Sequence, residues 1–302
     1  MWQKSGSLAK IARDSQVYQV RPDFIEMIKN NGAIRPRLVP ISSASTSTGF
    51  CAKHDRDVFS PIENKDLVFD EEQCMLLGFR ALKAEYFAKL GQQTSNSTVR
   101  QLDKGKDKAT QLNIQDMANW SQEGVESGLQ DFSMAASVFD KALISGDYSD
   151  LGFYVVEFDK CPSVLCSGLF STEVDFEGNT LQNLLSKDPI DLMTLSVVAT
   201  KNGGAAVFSW AKSALAANDK FIASFDNIED SRKPDALVRI CFELLDNIYL
   251  EPDWWEGLGS EESAALTARI KSGMLTGPDL DLTEDGLCAA NWNVISLKSC
   301  LA

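Results

Sequence analysis

One short segment of this sequence holds its only histidine together with a cysteine three positions before it. The segment reads Gly49-Phe50-Cys51-Ala52-Lys53-His54-Asp55. A thiolate and an imidazole at this spacing are able to bind one zinc ion, but a closed tetrahedral site needs two more ligands. The candidates for these are Cys74 and the carboxylates of Asp55, Asp57 and Glu63. The alternative interpretation is structural, with a buried thiol and a histidine that caps a short helix over 55–62.

A single histidine excludes every kind of site that needs two or more imidazoles. This removes H-E-x-x-H zinc proteases, His–Asp phosphohydrolases and iron oxygenases with two histidine ligands. The chain also has no G-x-S-x-G nucleophile motif and neither of the glycine-rich phosphate-binding motifs. We therefore predict no catalytic residue, and the sequence leaves open whether the protein is an enzyme.

The first 90 residues resemble a family of uncharacterised bacterial proteins. The likeness is carried by residues 6–14, 44–55 and 59–63 and by Phe79-Arg80-Ala81 with Glu85, which together give a C-x-x-H-D…F-x-P-I-E signature. The resemblance implies a degenerate treble-clef zinc module, related in shape to HNH modules, with Cys51 and His54 as metal ligands. The family carries a histidine where Ser15-Gln16-Val17 stands here, and two further ligands before the segment matching Gln3-Lys4-Ser5. The resemblance therefore implies an architecture more than an activity.

Two adjacent tryptophans, Trp254 and Trp255, form the other candidate site. Neighbouring indoles do not easily face the same core, and an exposed tryptophan is a frequent anchor of protein interfaces. The surrounding residues 226–262 carry eleven acidic and three basic side chains. This pattern indicates a surface that binds a basic protein partner, and burial of both indoles between helices is the alternative.

Length, composition and charge limit the kinds of function that remain. The 302 residues are 44% hydrophobic and carry a net charge of −14, which is typical of a globular protein with a substantial core. Residues 1–60 carry +4 and the rest −18, so nucleic acid is an unlikely ligand except through residues 1–60. Seven scattered cysteines and the lack of long apolar runs predict a cytoplasmic protein without membrane spans.

The periodicity of apolar residues predicts an α+β fold. Residues 1–147 read as a mainly helical region that contains the Cys51/His54 motif. Its strongest helix runs from Asp70 to about Leu90, a loop or frayed helix spans 91–111, and apolar residues over 114–143 indicate packing of a further helix on the first. Residues 148–302 read as a small antiparallel sheet with C-terminal helices, because strand patterns such as 192–199 and 205–210 come as hairpins.

Together these observations favour a cytoplasmic bacterial protein that acts by associating with another protein, with Trp254 and Trp255 at the interface. Membership of a stress or phage-defence system fits this hypothesis. The alternative is a divergent HNH-like, metal-dependent nuclease. It follows from the treble-clef resemblance and the basic first 60 residues, with zinc as its expected metal.

Overall fold

The fold is mixed α+β and is built on one antiparallel sheet of eight strands, which confirms the predicted fold class. The structure is a computed structural model that describes residues 6–21, 34–44, 50–184, 186, 188–274 and 280–299. The predicted helix over 24–28 lies outside the described residues. No helix in the described ranges is both long and apolar enough to cross a membrane.

The strands of the sheet do not follow one another in chain order. They are β1 (Gln16–Val20), β2 (Arg37–Pro40), β3 (Leu151–Phe158), β4 (Val164–Ser171), β5 (Leu192–Ala199), β6 (Gly204–Ala211), β7 (Ile248–Leu250) and β8 (Val294–Ser299). Their order across the sheet is β2-β1-β7-β4-β5-β6-β3-β8. The division at residue 147 stays a prediction, and β1 and β2 from the first part belong to the same sheet as the later strands.

The hairpin of β5 and β6 is as the sequence predicts. The two strands pair antiparallel from Met193 with Trp210 to Ala199 with Gly204. Strands β3 and β4 are neighbours in the chain but do not pair with each other, because β5 and β6 lie between them. Strand β2, which contains Pro40, lies at the edge of the sheet, where a proline is tolerated.

Helices cover both faces of the sheet. They are α1 (Ser7–Ile11), α2 (Ala52–Val58), α3 (Ser60–Glu63), α4 (Glu71–Arg100), α5 (Lys108–Ser145), α6 (Ala217–Asp226), α7 (Lys233–Leu244), α8 (Pro252–Gly257) and α9 (Ser260–Met274). One core joins α2 to α5 with one sheet face, through residues such as Phe79, Phe139 and Val207. A second core joins α6 to α9 with the other face, through residues such as Phe221, Phe242 and Phe208. Because side chains alternate along a strand, each strand of the sheet centre contributes to both cores.

The two longest helices, α4 and α5, form an antiparallel hairpin. Asp70 caps α4 by accepting a hydrogen bond from Gln73 N, and Asp107 caps α5 by accepting from Ala109 N and Thr110 N. Helix α5 ends at Gly146, whose φ of 68° is the left-handed conformation that favours glycine. The sequence predicts a loop or a frayed helix over 91–111. The loop alternative is wrong for 91–100, because α4 continues to Arg100 against its partner helix.

Gly78 allows α4 to lie directly on the sheet. A Cβ atom at this position would stand 2.7 Å from the Cβ of Ser209 and 2.9 Å from Oγ1 of Thr194. Beside this contact, the Ser209 hydroxyl donates a hydrogen bond of 3.0 Å to the carbonyl of Cys74. The glycine therefore allows α4 to lie in direct contact with β5 and β6.

Candidate functional site

Cys51 and His54 lie side by side on the surface at the start of α2. Cys51 precedes the first residue of the helix, and its Sγ is 3.4 Å from Nδ1 of His54. Both side chains are exposed, which differs from the buried thiol of the structural interpretation. The first turn of the helix thus places one thiol and one imidazole close enough to bind the same metal ion.

The other candidate ligands have partners of their own. Arg80 binds Asp55 at 3.2 Å and Glu63 at 2.5 Å, and Arg56 lies 3.6 Å from Asp57. Cys74 is buried, with its thiol directed at the carbonyl of Phe69. Within the described ranges, no group of three His, Cys, Asp or Glu side chains forms a cluster that could hold a metal ion. The zinc site at Cys51 and His54 therefore stays a prediction.

Aromatic packing and one arginine hold α2 and α3 against α4. The rings of Phe50 and Phe59 meet edge to face at 5.1 Å, and both contact Phe79. The guanidinium of Arg80 lies 4.2 Å from the ring centre of Phe59. The same guanidinium binds the carboxylates of Asp55 and Glu63. These contacts stabilise the segment, and the treble-clef shape implied by the resemblance stays an expectation.

The tryptophan pair of α8 lies mostly inside the molecule. The side chain of Trp254 is only 7% exposed, and its Nε1 donates a hydrogen bond of 2.8 Å to the carbonyl of Ala289. Trp255 is half-buried, and its ring stacks on Phe242 at an interplanar angle of 17°. The role of Trp254 and Trp255 in partner binding stays a prediction, and in the described conformation Trp254 offers little surface to a partner.

Part of the acidic rim around these tryptophans is neutralised within the chain. Arg13 binds Asp253 and Glu256, each at 2.7 Å, and the hydroxyl of Tyr18 donates to Glu256 at 3.1 Å. The hydrogen bond from Arg13 holds the pKa of Glu256 below its usual range. The rim is therefore less available to a basic partner than its charge count suggests.

The outer half of the α4–α5 hairpin, residues 86–125, extends beyond both cores, and we call it the arm. Among its described side chains only Ala118 and Val125 are buried. Arg100 joins the two helices near the tip by donating to Asn119 and Gln122, both at 2.8 Å. Polar contacts thus hold the two helices together near the tip. The large apolar side chains there do not pack into a core.

Large apolar side chains of the arm point to solvent. The exposed fractions are 71% for Trp120, 63% for Met117, 61% for Leu102 and 54% for Leu112, and Phe87 and Leu90 are also exposed. The sequence places Met117 and Trp120 among the residues that pack on the earlier helix. That expectation is wrong for these two side chains, although the helices themselves pack as predicted. Met117 and Trp120 lie one helical turn apart on α5, and adjacent exposed apolar side chains are typical of interaction surfaces.

A polar cluster lies where α4 leaves the sheet. Burial raises the pKa of Glu85 to about 7, and the nearby carboxylate of Asp246 adds to the effect. Burial also lowers the pKa of Lys89, one helical turn further on. The positive charges of Arg21 and Lys89 act in the opposite direction and partly offset the rise in the pKa of Glu85 and of Asp246. No local pattern of residues indicates this cluster, because its members come from distant parts of the chain.

Comparison with protein-family models, with curated proteins and with solved structures found no match to this chain.

Proposed function

We propose that the protein acts by binding another protein, and that the arm carries the interface. The observation that supports this function is the exposure of Trp120 and Met117 on one side of α5. Burying a tryptophan of this kind contributes more to an interface than most other side chains do. Exposing large apolar side chains to water costs free energy. A partner protein that covers them offsets this cost.

The arm replaces Trp254 and Trp255 as the favoured interface because its side chains are accessible without rearrangement. Most pre-organised interfaces change little in backbone conformation on binding. Trp254 would have to leave its pocket and give up its hydrogen bond to Ala289, whereas Trp120 is already at the surface. The cytoplasmic location and a role in a stress or phage-defence system remain proposals that accompany this one.

Co-purification with a Trp120→Ala variant tests the proposal. We expect the tagged wild-type protein to retain a specific partner from cells of its source, identified by quantitative mass spectrometry. The Trp120→Ala variant should lose it at an unchanged melting temperature. The matched control is Leu215→Ala, which removes an apolar side chain that is 41% exposed in the loop before α6. Equal partner recovery with Trp120→Ala would contradict the proposal.

The alternative is a divergent HNH-like nuclease, and the contact between Cys51 and His54 is the observation that favours it. This function requires a bound metal ion. Elemental mass spectrometry of the native protein should then find about one equivalent of zinc, which Cys51→Ala removes together with DNA cleavage. Metal-free protein without cleavage activity would eliminate the alternative.

A further inference from the structure

We infer that the partner of the arm is a basic amphipathic helix, an inference that rests on the proposed function. It follows from the side chains around Trp120. On a helix, residues three and four positions away are the nearest neighbours. For Trp120 these are Met117, Asp116, Glu123 and Gly124. The indole is thus bordered by one apolar side chain, two carboxylates and one position without a side chain.

Gly124 leaves an open space next to the indole. A Cβ atom built at Gly124 meets no other atom within 4 Å in the described structure, and Asp116, Met117 and Glu123 around it are exposed. A side chain from a partner helix can enter this space and contact the flank of Trp120. Helix-to-helix recognition uses such anchors at intervals of three and four residues.

The charge of α5 determines what such a helix must carry. Between Ala109 and Val125, the part of α5 that carries Trp120, the charged side chains are Asp116 and Glu123, whereas the basic residues of the arm lie on α4 and at the tip. Within the described part of the chain, neither Asp116 nor Glu123 forms an ion pair. Complementary potentials across an interface speed encounter and exclude wrong partners. Lysine or arginine beside the apolar residues of the partner therefore fits this surface.

The same charge argues against a second copy of the chain as the partner. A two-fold interface brings the same patch of both molecules together. Here Asp116 and Glu123 of one copy would meet the same two carboxylates of the other copy around Trp120, and like charges in contact weaken binding. A basic partner relieves this repulsion, whereas self-association increases it.

Two labelled peptides of about 18 residues provide the test, because that length gives a stable amphipathic helix on binding. Both carry leucine at helical spacing, and the remaining positions are lysine in one peptide and glutamate in the other. Fluorescence anisotropy with the full-length protein in ~0.15 M salt measures affinity. The lysine peptide should bind and the glutamate peptide should not.

Variants of the arm separate a specific site from general attraction to an acidic protein. Trp120→Ala and Gly124→Gln should each weaken binding about ten-fold or more. Gly124→Gln fills the open space and raises helix propensity, so loss of binding is not explained by unfolding. The double variant Asp116→Asn/Glu123→Gln should also weaken binding, whereas Glu229→Gln/Glu261→Gln removes the same charge from exposed positions elsewhere and should not.

Three results would overturn the inference. They are equal affinity of the lysine peptide for all variants, binding of the glutamate peptide, and no binding of the lysine peptide to the wild-type protein. Sedimentation supplies a further check, because a dimer that dissociates on Trp120→Ala would identify a second copy as the occupant. If neither peptide binds but Trp120→Ala still loses its partner in the co-purification experiment, the proposed function stands. Only the inference that the partner presents a basic helix is then wrong.

Discussion

The side chain of Trp254 links α8 to the segment that precedes β8. Because its indole is buried and hydrogen-bonded to Ala289, Trp254→Ala leaves a cavity and an unpaired carbonyl. We expect the free energy of unfolding to fall by about 3–5 kcal/mol. Trp255→Ala, which removes a half-buried ring, should cost clearly less. Urea denaturation of both variants measures the difference, and equal small losses would show that Trp254 is not part of the core.

Glu85 makes the stability of the protein depend on pH. Its pKa is raised to about 7 in the folded protein, so the folded state binds a proton more tightly than the unfolded state does. The stability that this tighter proton binding adds is complete below the pKa of Glu85 in the unfolded state. It is lost as the pH rises through about 7, the pKa of Glu85 in the folded state. The expected loss is about 1–2 kcal/mol after allowance for the solvent that reaches this half-buried group.

Glu85→Gln provides the control for this effect. Between about pH 5 and pH 8, a range that brackets the transition, the variant should lose ~1–2 kcal/mol less stability than the wild type does. Denaturation curves at both pH values test it. A parallel decline of both proteins would show that Glu85 ionises normally.

The cysteines of the described residues should differ strongly in reactivity. Cys51 and Cys288 are exposed, whereas Cys74, Cys166 and Cys241 are buried. The thiols of Cys166 and Cys241 lie 3.6 Å apart in the core, and this contact together with burial raises the pKa of Cys241. We expect a thiol reagent to modify Cys51 and Cys288 first and the buried pair only on unfolding. Peptide mass spectrometry over time measures the order, and early modification of Cys241 would contradict it.

At the scale of elements, the arm is stable without its exposed apolar side chains. Trp120→Ala should change the free energy of unfolding by less than about 0.5 kcal/mol, as is usual for exposed positions. Gly124→Gln should raise it by about 0.5–1 kcal/mol, because glycine is a poor helix former. Val125→Ala, at a buried position of the same helix, should instead lower it by about 1–3 kcal/mol. Thermal unfolding of the three variants checks this contrast, which a large loss for Trp120→Ala would contradict.

Local patterns predict the long helices but not where α4 ends. Acidic residues after Asp70 and apolar residues at helical spacing define its start. Its polar continuation over 91–100 has little apolar periodicity, so the sequence alone indicates a loop or a frayed helix. The helix persists because α5 lies alongside it and Arg100 bridges the two. Tertiary contacts of this kind regularly override local preference.

The same limit applies to the candidate site. The contact between Cys51 and His54 follows from a spacing of three residues on a helix and could be predicted. The exposure of Trp120 could not, because an apolar residue at helical spacing reads the same whether a core or solvent lies beside it. That this part of α5 lies beyond the core is visible only in the structure, where α4 packs on the sheet at Gly78.

At the scale of the whole molecule, the sheet joins segments that the sequence separates. Strand β7 has three residues and pairs with β1 on one side and β4 on the other. Strands this short carry little local signal, since their stability comes from pairing and packing. The sequence therefore predicts the antiparallel class of the sheet and its β5–β6 hairpin, but not the order of its eight strands.

The central claim is that the arm is the surface through which this protein binds a partner. A photo-crosslinking amino acid at position 120, introduced in cells of its source, tests this most directly. We expect a discrete crosslinked species containing one identified protein with a basic amphipathic segment. The same amino acid at position 215 should not give that species. Absence of a crosslink at position 120, or the same products from both positions, would contradict the claim.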